Sequence, residues 1–314
     1  SDVYKRQALH NILIPTPSIN EQKRIISQIE AIMPIAVKYE KSQEELNQLN
    51  DSIHNRLRKS ILQEAIQGKL VPQIPEERTA QELLEQIRQE KQKLVKEGKL
   101  KKFALSDSVI YKGDDNKYYE QVGKSDKEIT EEIAFDLPNG WSWCRLKDIC
   151  SIFTGATFKK EETVTTKEGV RILRGGNISP FELRIKDDDI FLTKDKVKED
   201  IILKENDILT PAVTSLENIG KMVRVNSDMP NTTVGGFVFI IRLYLKNQWL
   251  SKYILYLLSS PFMIDFMKSI TNKSGQAFYN IGKERLSTAL LPIPSLAEQH
   301  RIVAQIEKLF EQLR

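Results

Sequence analysis

The sequence predicts an α+β fold: a mixed α/β domain attached to long, coiled-coil-like helices. Three observations carry this. Residues from about 19 to 70 keep apolar side chains at helical spacing. Residues 137–291 hold short strand-type and helix-type runs without strict alternation, which favours α+β over a doubly wound sheet. A proline-bounded motif stands before the helical tract and again near the C-terminus.

The motif comes first in the chain. Pro15-Thr16-Pro17-Ser18-Ile19-Asn20-Glu21-Gln22 returns as Pro292-Ile293-Pro294-Ser295-Leu296-Ala297-Glu298-Gln299, and the likeness runs from Ile12–Glu30 to Ala289–Glu307 at one offset (298 − 21 = 277). The period is far too long for a solenoid, whose repeats run about 20–50 residues. It points to two large units that each end in the same signal. Pro15 and Pro17 hold the chain extended. Ser18 is suited to cap a helix, with Glu21 three residues on as the second half of a capping box, and Ser295 with Glu298 repeats the arrangement.

The tract 19–70 reads as one long helix. Leu46, Leu49, Ile53, Leu57 and Ile61 recur at spacings of three and four and make a seam for a partner helix. Pro34 is expected to kink or break the helix near Met33. Gly68 and then Pro72 end it. Residues 71–136 are predicted as a charged helix over Thr79–Leu100 followed by an extended, partly mobile linker, with a turn at Gly113-Asp114-Asp115-Asn116. The lysines from Lys91 to Lys102 make either a solvated helix face or a phosphate-binding stripe.

A globular unit opens at Leu137-Pro138-Asn139-Gly140-Trp141-Ser142-Trp143 and is predicted to run to residue 291. Strands are expected at Val170–Leu173, Ile190–Leu192, Asp207–Leu209, Lys221–Val225 and Gly236–Leu245. Helices are expected at Arg145–Cys150, Trp249–Leu258, Pro261–Ile270 and Lys283–Ala289. Residues 292–314 start a second long helix. The chain begins without Met and stops inside that helix, and it reads as a fragment or the product of a truncated gene whose first residues are not native.

Composition narrows the function. Net charge is only +4, but Trp141–Arg285 carries 22 Lys/Arg against 17 Asp/Glu, which is compatible with a phosphate-contacting surface. Cys144 and Cys150 do not make a disulfide framework and read as reduced core residues. No secretory signal is visible, and the apolar stretch 249–267 contains Lys252, Asp265 and Pro261, so the chain reads as cytoplasmic. There is no phosphate-binding Gly-Lys-Ser/Thr loop, no Asn/Asp-Pro-Pro-aromatic methyltransferase tetrad and no Glu-x-Lys after Asp207. His10, His54 and His300 stand apart from any metal-ligand cluster, and no Ser sits in a nucleophile elbow. Binding, not catalysis, is the expectation.

Several separated segments together resemble the specificity subunit of type I restriction-modification systems. The two proline-bounded motifs look like that family's boundary motifs, and Ser60–Leu70 looks like the end of its central helix. Leu137–Trp143 with Gly155 looks like the opening of a target recognition domain, whose middle and end are matched by Leu203–Leu209 and Gly275–Ile281. The resemblance implies that residues 1–18 are the tail of a preceding recognition unit, 19–70 a spacer helix that measures distance, 137–291 a target recognition domain and 292–314 the start of a second conserved helix. One whole recognition domain, where the family has two, puts the oligomeric state in question and makes self-association of a natural half-subunit an expectation.

The family is not catalytic. Its members read a split site in double-stranded DNA and dock methyltransferase and restriction/translocase subunits. No cofactor is expected on this chain; S-adenosylmethionine, ATP and Mg2+ belong to those partners. Read together with the family, the polar turns are the candidate DNA contacts. Lys159 and Lys160 suit phosphates, and Arg174 and Asn177 flank Gly175-Gly176, where the backbone can approach a ligand closely; Asn and Gln suit adenine and Arg suits guanine. Thr214, Ser215, Asn218 and Lys221 form a second group, and Lys273, Ser274, Gln276, Tyr279 and Asn280 a third. Each of these residue types also serves as an ordinary turn former. The rival reading is a protein-interaction adaptor in which the helical seam is the working surface.

Overall fold

The computed structural model describes residues 14–164, 168–274 and 277–313. The chain divides into two compact units at Arg56 and Leu57. Helix α1 (Ile19–Ile66) runs through the first unit and ends in the second. At its start Ser18 Oγ accepts from the Glu21 amide at 3.4 Å, and the Gln22 side chain donates to the Pro17 carbonyl at 2.8 Å. The helix runs on through Pro34 without a break. A proline in a helix interior removes one backbone donor. Ile25, Ile26, Ile29, Leu46, Leu49 and Ile53 are all exposed in this unit.

In the second unit the last turns of α1 bury Leu62, Ala65 and Ile66, and Ile61 packs on the same core. Gly68 closes the helix at φ +70°, with its amide on the Ala65 carbonyl. A Cβ there would lie 2.4 Å from Pro138 Cγ. Helix α2 (Ala80–Lys96) buries Ala80, Leu83, Ile87 and Lys91. Lys91 is fully buried, paired with Asp107 and 5.0 Å from the Tyr244 ring centroid. Lys93, Lys96 and Lys99 are exposed, so the lysine run is not a single face.

The expected linker is a folded sheet. Strands β1 (Ser108–Lys112), β2 (Tyr118–Val122) and β3 (Ser125–Glu128) pair antiparallel, with Gly113–Asn116 turning β1 into β2. Ile110 and Tyr118 pack on a small core of Ile129, Trp143 and Leu290. The sheet is held by Arg145 at the end of β4 (Ser142–Arg145). Its buried guanidinium donates to both Glu120 oxygens (3.1 and 2.6 Å) and to the Thr288 carbonyl (2.8 Å), and lies 2.8 Å from Glu132. Burial works against ionisation of Glu120 and Glu132, but their bonds to Arg145 outweigh it and both carboxyls sit below their ordinary range.

The rest forms the body. After β4 come α3 (Leu146–Ile149), β5 (Cys150–Thr154), β6 (Thr163–Val164), β7 (Val170–Leu173), the hairpin β8 (Ile178–Ser179) and β9 (Glu182–Leu183), and β10 (Ile190–Leu192). Then follow β11 (Ile208–Pro211), β12 (Val213–Thr214), β13 (Val223–Arg224), β14 (Thr232–Val234) and β15 (Val238–Leu243). Helices α4 (Gln248–Leu258) and α5 (Pro261–Ser269) lead to β16 (Thr271–Ser274), β17 (Phe278–Ile281), α6 (Lys283–Ser287), β18 (Leu290–Ile293) and α7 (Leu296–Gln312). One sheet has the order β13-β11-β15-β5, all antiparallel; another is β14-β7-β10-β6, with β14 parallel to β7.

The first of these sheets is a wall between two cores. Ile208, Phe239, Ile241 and Leu243 face a core shared with the helices, while Leu209, Val238 and Ile240 face a core shared with β7, β10 and β14. Alternation of period two along β11 and β15 puts apolar residues on both faces. The second copy of the proline-bounded motif is buried here. β18 pairs with β4, and Ile302, Val303 and Ile306 of α7 are fully buried, each worth roughly 1.5–3 kcal/mol. Ser295 caps α7 by accepting from the Glu298 amide at 3.1 Å, and Gln299 donates to the Pro294 carbonyl at 3.1 Å, as Gln22 does to Pro17. The Glu298 carboxylate does not close a capping box. It accepts from Trp141 Nε1 (3.0 Å) and Gln73 (2.6 Å), and burial raises its pKa.

Candidate nucleic-acid interface

Four strands end at one rim of the body. The amide of Gly235, just past β14, donates to the Leu173 carbonyl at the end of β7 (2.8 Å). Just past β5, Gly155 N–H donates to the Val238 carbonyl (3.2 Å) and Ala156 N–H to that of Val234 (2.8 Å). Ala212, just past β11, donates to the Phe237 carbonyl (2.8 Å) and accepts from the Ile281 amide (2.9 Å). The β12–β17 register then adds the β16–β17 ribbon. Turns scattered over more than a hundred residues of sequence are thus fastened together by backbone bonds. Gly155 is required for this: a Cβ would sit 2.2 Å from the Val234 carbonyl oxygen.

Most of the candidate residues lie on this rim, in different states. Lys159 and Lys160 are exposed just beyond Gly155. Arg174 is exposed, loosely held by Asp188 at 3.4 Å. Such a pair contributes little to stability and leaves the guanidinium able to leave for a phosphate. Ser215 and Asn218 bond to each other (2.8 Å) in the turn after β12, and Lys221 is half-buried just before β13.

The register sorts the ribbon. Thr214, Tyr279 and Lys273 lie directly opposite one another and share one face, while Asn280 and Ser274 share the other with Asn272 and Phe278. Gln276 lies outside the described residues.

Two candidates are corrected. Asn177 is 1% exposed; its amide accepts from the Arg174 N–H (2.8 Å) and donates to the Arg184 carbonyl (2.8 Å) and Asp189 (2.6 Å). With both ends of its amide engaged, it builds the turn that presents Arg174. Thr214 is buried in β12, although Tyr279 and Lys273 on the same face are not. The candidate seam on α1 also divides. Leu46, Leu49, Ile53 and Leu57 are exposed, whereas Ile61 is taken into the core of its own unit.

The sequence reading passed over Asn272, Phe278 and Phe237. Asn272 and Phe278 flank the residues it chose and fall in place only once the strand register is known. Phe237 follows Gly235-Gly236 inside an expected strand, and only its 72% exposure sets it apart. Among the described residues no group of three or more His, Cys, Asp or Glu gathers in a metal-holding arrangement, and no helix is long and apolar enough to cross a membrane.

A family model described as the type I restriction modification DNA specificity domain matches residues 138–314, which include the whole rim and α7. The chain belongs to this family. It is similar to the type I restriction enzyme EcoAI specificity subunit of Escherichia coli, at 32% identity over 273 residues, covering 81% of this chain and 39% of that protein. It is also similar to the EcoEI specificity subunit of the same organism, at 27% identity over 258 residues, covering 81% and 40%. The chain therefore spans 39–40% of the length of these specificity subunits. The HsdS subunit from Thermoanaerobacter tengcongensis aligns over 96% of this chain and 54% of its own, at 20% identity and a TM-score of 0.41.

Proposed function

We propose that this specificity-domain chain reads a sequence in double-stranded DNA through the rim and directs methyltransferase and restriction/translocase subunits to it. The observation that carries this reading is the convergence of four strand ends on one rim. Exposed Lys159, Lys160 and Arg174 stand there beside exposed amides and hydroxyls. Cations hold phosphates and fix register; amides and hydroxyls placed in the major groove distinguish base pairs. Within this reading the chain performs no catalysis, and S-adenosylmethionine, ATP and Mg2+ act on its partner subunits. The exposed Leu46, Leu49, Ile53 and Leu57 support a partner helix along α1, supplied by a second copy of the chain or by a methyltransferase subunit.

The test is a selection from a random duplex library with the full chain, followed by binding measured over a salt series. Enrichment of one motif, with affinity falling as salt rises, is the expected result. Recovery of unenriched sequences would reject base reading and leave the adaptor alternative.

A further inference from the structure

Among the described residues of the second unit Phe237 is the most exposed large apolar side chain, at 72%, yet its backbone is tied to neighbouring strands. Its carbonyl accepts from the Ala212 amide at 2.8 Å, and the next residue, Val238, donates to the Gly235 carbonyl at 2.9 Å and accepts from Gly155 at 3.2 Å. The ring therefore stands on a fixed turn between the end of β14 and the start of β15, at the centre of the rim. It joins neither of the two cores that meet at this sheet. Gly235 and Gly236 precede it and bring no side chains that could cover it. A Cβ at Gly236 would meet Thr157 Oγ1 at 3.1 Å, so the loop toward Lys159 and Lys160 lies alongside.

An exposed apolar ring is poorly matched to phosphates and to hydrogen-bonding base edges. One feature of duplex DNA does match it. In the major groove thymine alone presents a methyl group, and apolar side chains read it by contact. Because the turn is already fixed, little ordering entropy opposes the contact. We infer that Phe237 is a specificity-determining residue that packs on the C5 methyl group of a thymine in the recognised sequence. The inference rests on the reading of the rim as a DNA interface and adds a base and an atom to it.

The test uses the duplex selected by the full chain. Each thymine is replaced singly by uracil, which removes only the methyl group and keeps both pairing edges. One position is expected to weaken binding by the parent about fourfold, the worth of one buried methyl group. Phe237→Ala should bind the thymine duplex at least that much more weakly and show no further loss with uracil at that position. Phe237→Leu should restore part of the discrimination. The ring is exposed, so the melting temperatures of both variants should match the parent's, which separates a lost contact from a lost fold.

Uniform tolerance of uracil by the parent, a selected motif without thymine, or a uracil penalty that persists in Phe237→Ala would each overturn the methyl contact while leaving DNA reading intact. The last result, combined with weakened binding, would describe a wedge between base steps instead. Failure of the parent to select any motif would remove the DNA reading itself.

Discussion

The two copies of the proline-bounded motif allow a matched pair of substitutions. Ile25 and Ile302 occupy the same place in the repeat (302 − 25 = 277), but Ile25 is 44% exposed and Ile302 is fully buried. Truncation to Ala removes three carbons in each. At Ile302 these lie in the core shared by α1, α2, α4 and α7. The transfer loss is about 2.4 kcal/mol at roughly 0.8 per carbon, and the cavity left behind brings the total to about 3–4 kcal/mol. At Ile25 nothing collapses and no cavity forms, so the cost should stay near 0.5 kcal/mol. Urea unfolding read by tryptophan fluorescence follows the second unit, which holds Trp141, Trp143 and Trp249, and circular dichroism follows the helices of both units together. Ile302→Ala should lower the midpoint of the fluorescence transition sharply, while Ile25→Ala should leave both transitions near the parent's. Equal costs in the two variants would refute the argument, because they would mean that the motif is stabilised locally and not by what it packs against.

Three further outcomes follow. Arg145→Ala should destabilise the second unit by about 3–5 kcal/mol, since it strands the buried Glu120 opposite Glu132; a urea midpoint within about 1 kcal/mol of the parent's would contradict the hub. Glu120 and Glu132 titrate below their ordinary value of 4.5 in the folded chain, so the stability they supply is fully present above that value and is lost as pH falls below it through their lowered folded values. Glu120→Gln should therefore flatten the acid limb of a stability–pH curve, and an unchanged limb would place acid sensitivity elsewhere. Lys160→Ala and Arg174→Ala should each lower the slope of log affinity against log salt by about one, measured by fluorescence anisotropy on the selected duplex, and slopes equal to the parent's would take both cations off the DNA.

The sequence made the β-rich body legible because its strands are buried on both faces and bounded by glycine and asparagine turns. Val170–Leu173 is a strand with those bounds, and the predicted helix Trp249–Leu258 is α4 to within one residue. The sheet β1–β3 was not legible because its own residues scarcely hold it. Its strands carry Ser, Lys, Glu and Tyr, and its anchor is Arg145, 25 residues beyond Glu120. Lys91 was misplaced for a related reason. Spacing along α2 gave no hint that Asp107 and Tyr244 would meet it. The rim was legible as a set of polar turns, but not as one place. The backbone bonds that gather it join Leu173 to Gly235 and Ala212 to Phe237, and periodicity within one strand says nothing about which strand lies beside it. Asn177 was chosen for its residue type and its glycines; its burial follows from Asp189 and Arg184, which return to it through the β8–β9 hairpin.

Under the proposed DNA reading, the way the rim is held bears on how specificity could change. Backbone bonds join the strand ends that make it, and the wall sheet behind it is packed on both faces by buried apolar residues. Side chains at Lys159, Lys160, Arg174, Phe237 and Asn280 are exposed and can therefore be exchanged with little cost to folding. Gly155 cannot, because the Val234 carbonyl occupies the space a side chain would need, and Asn177 cannot, because its amide satisfies three backbone or carboxylate groups at once. A chain carrying several exchanges at the first set should keep the parent's melting temperature and select a different duplex. Gly155→Ala or Asn177→Ala should lower the melting temperature before any change in the selected sequence is seen. Loss of folding on exchange of the exposed set would show that the rim's order depends on its side chains, and the division between frame and reader would fall.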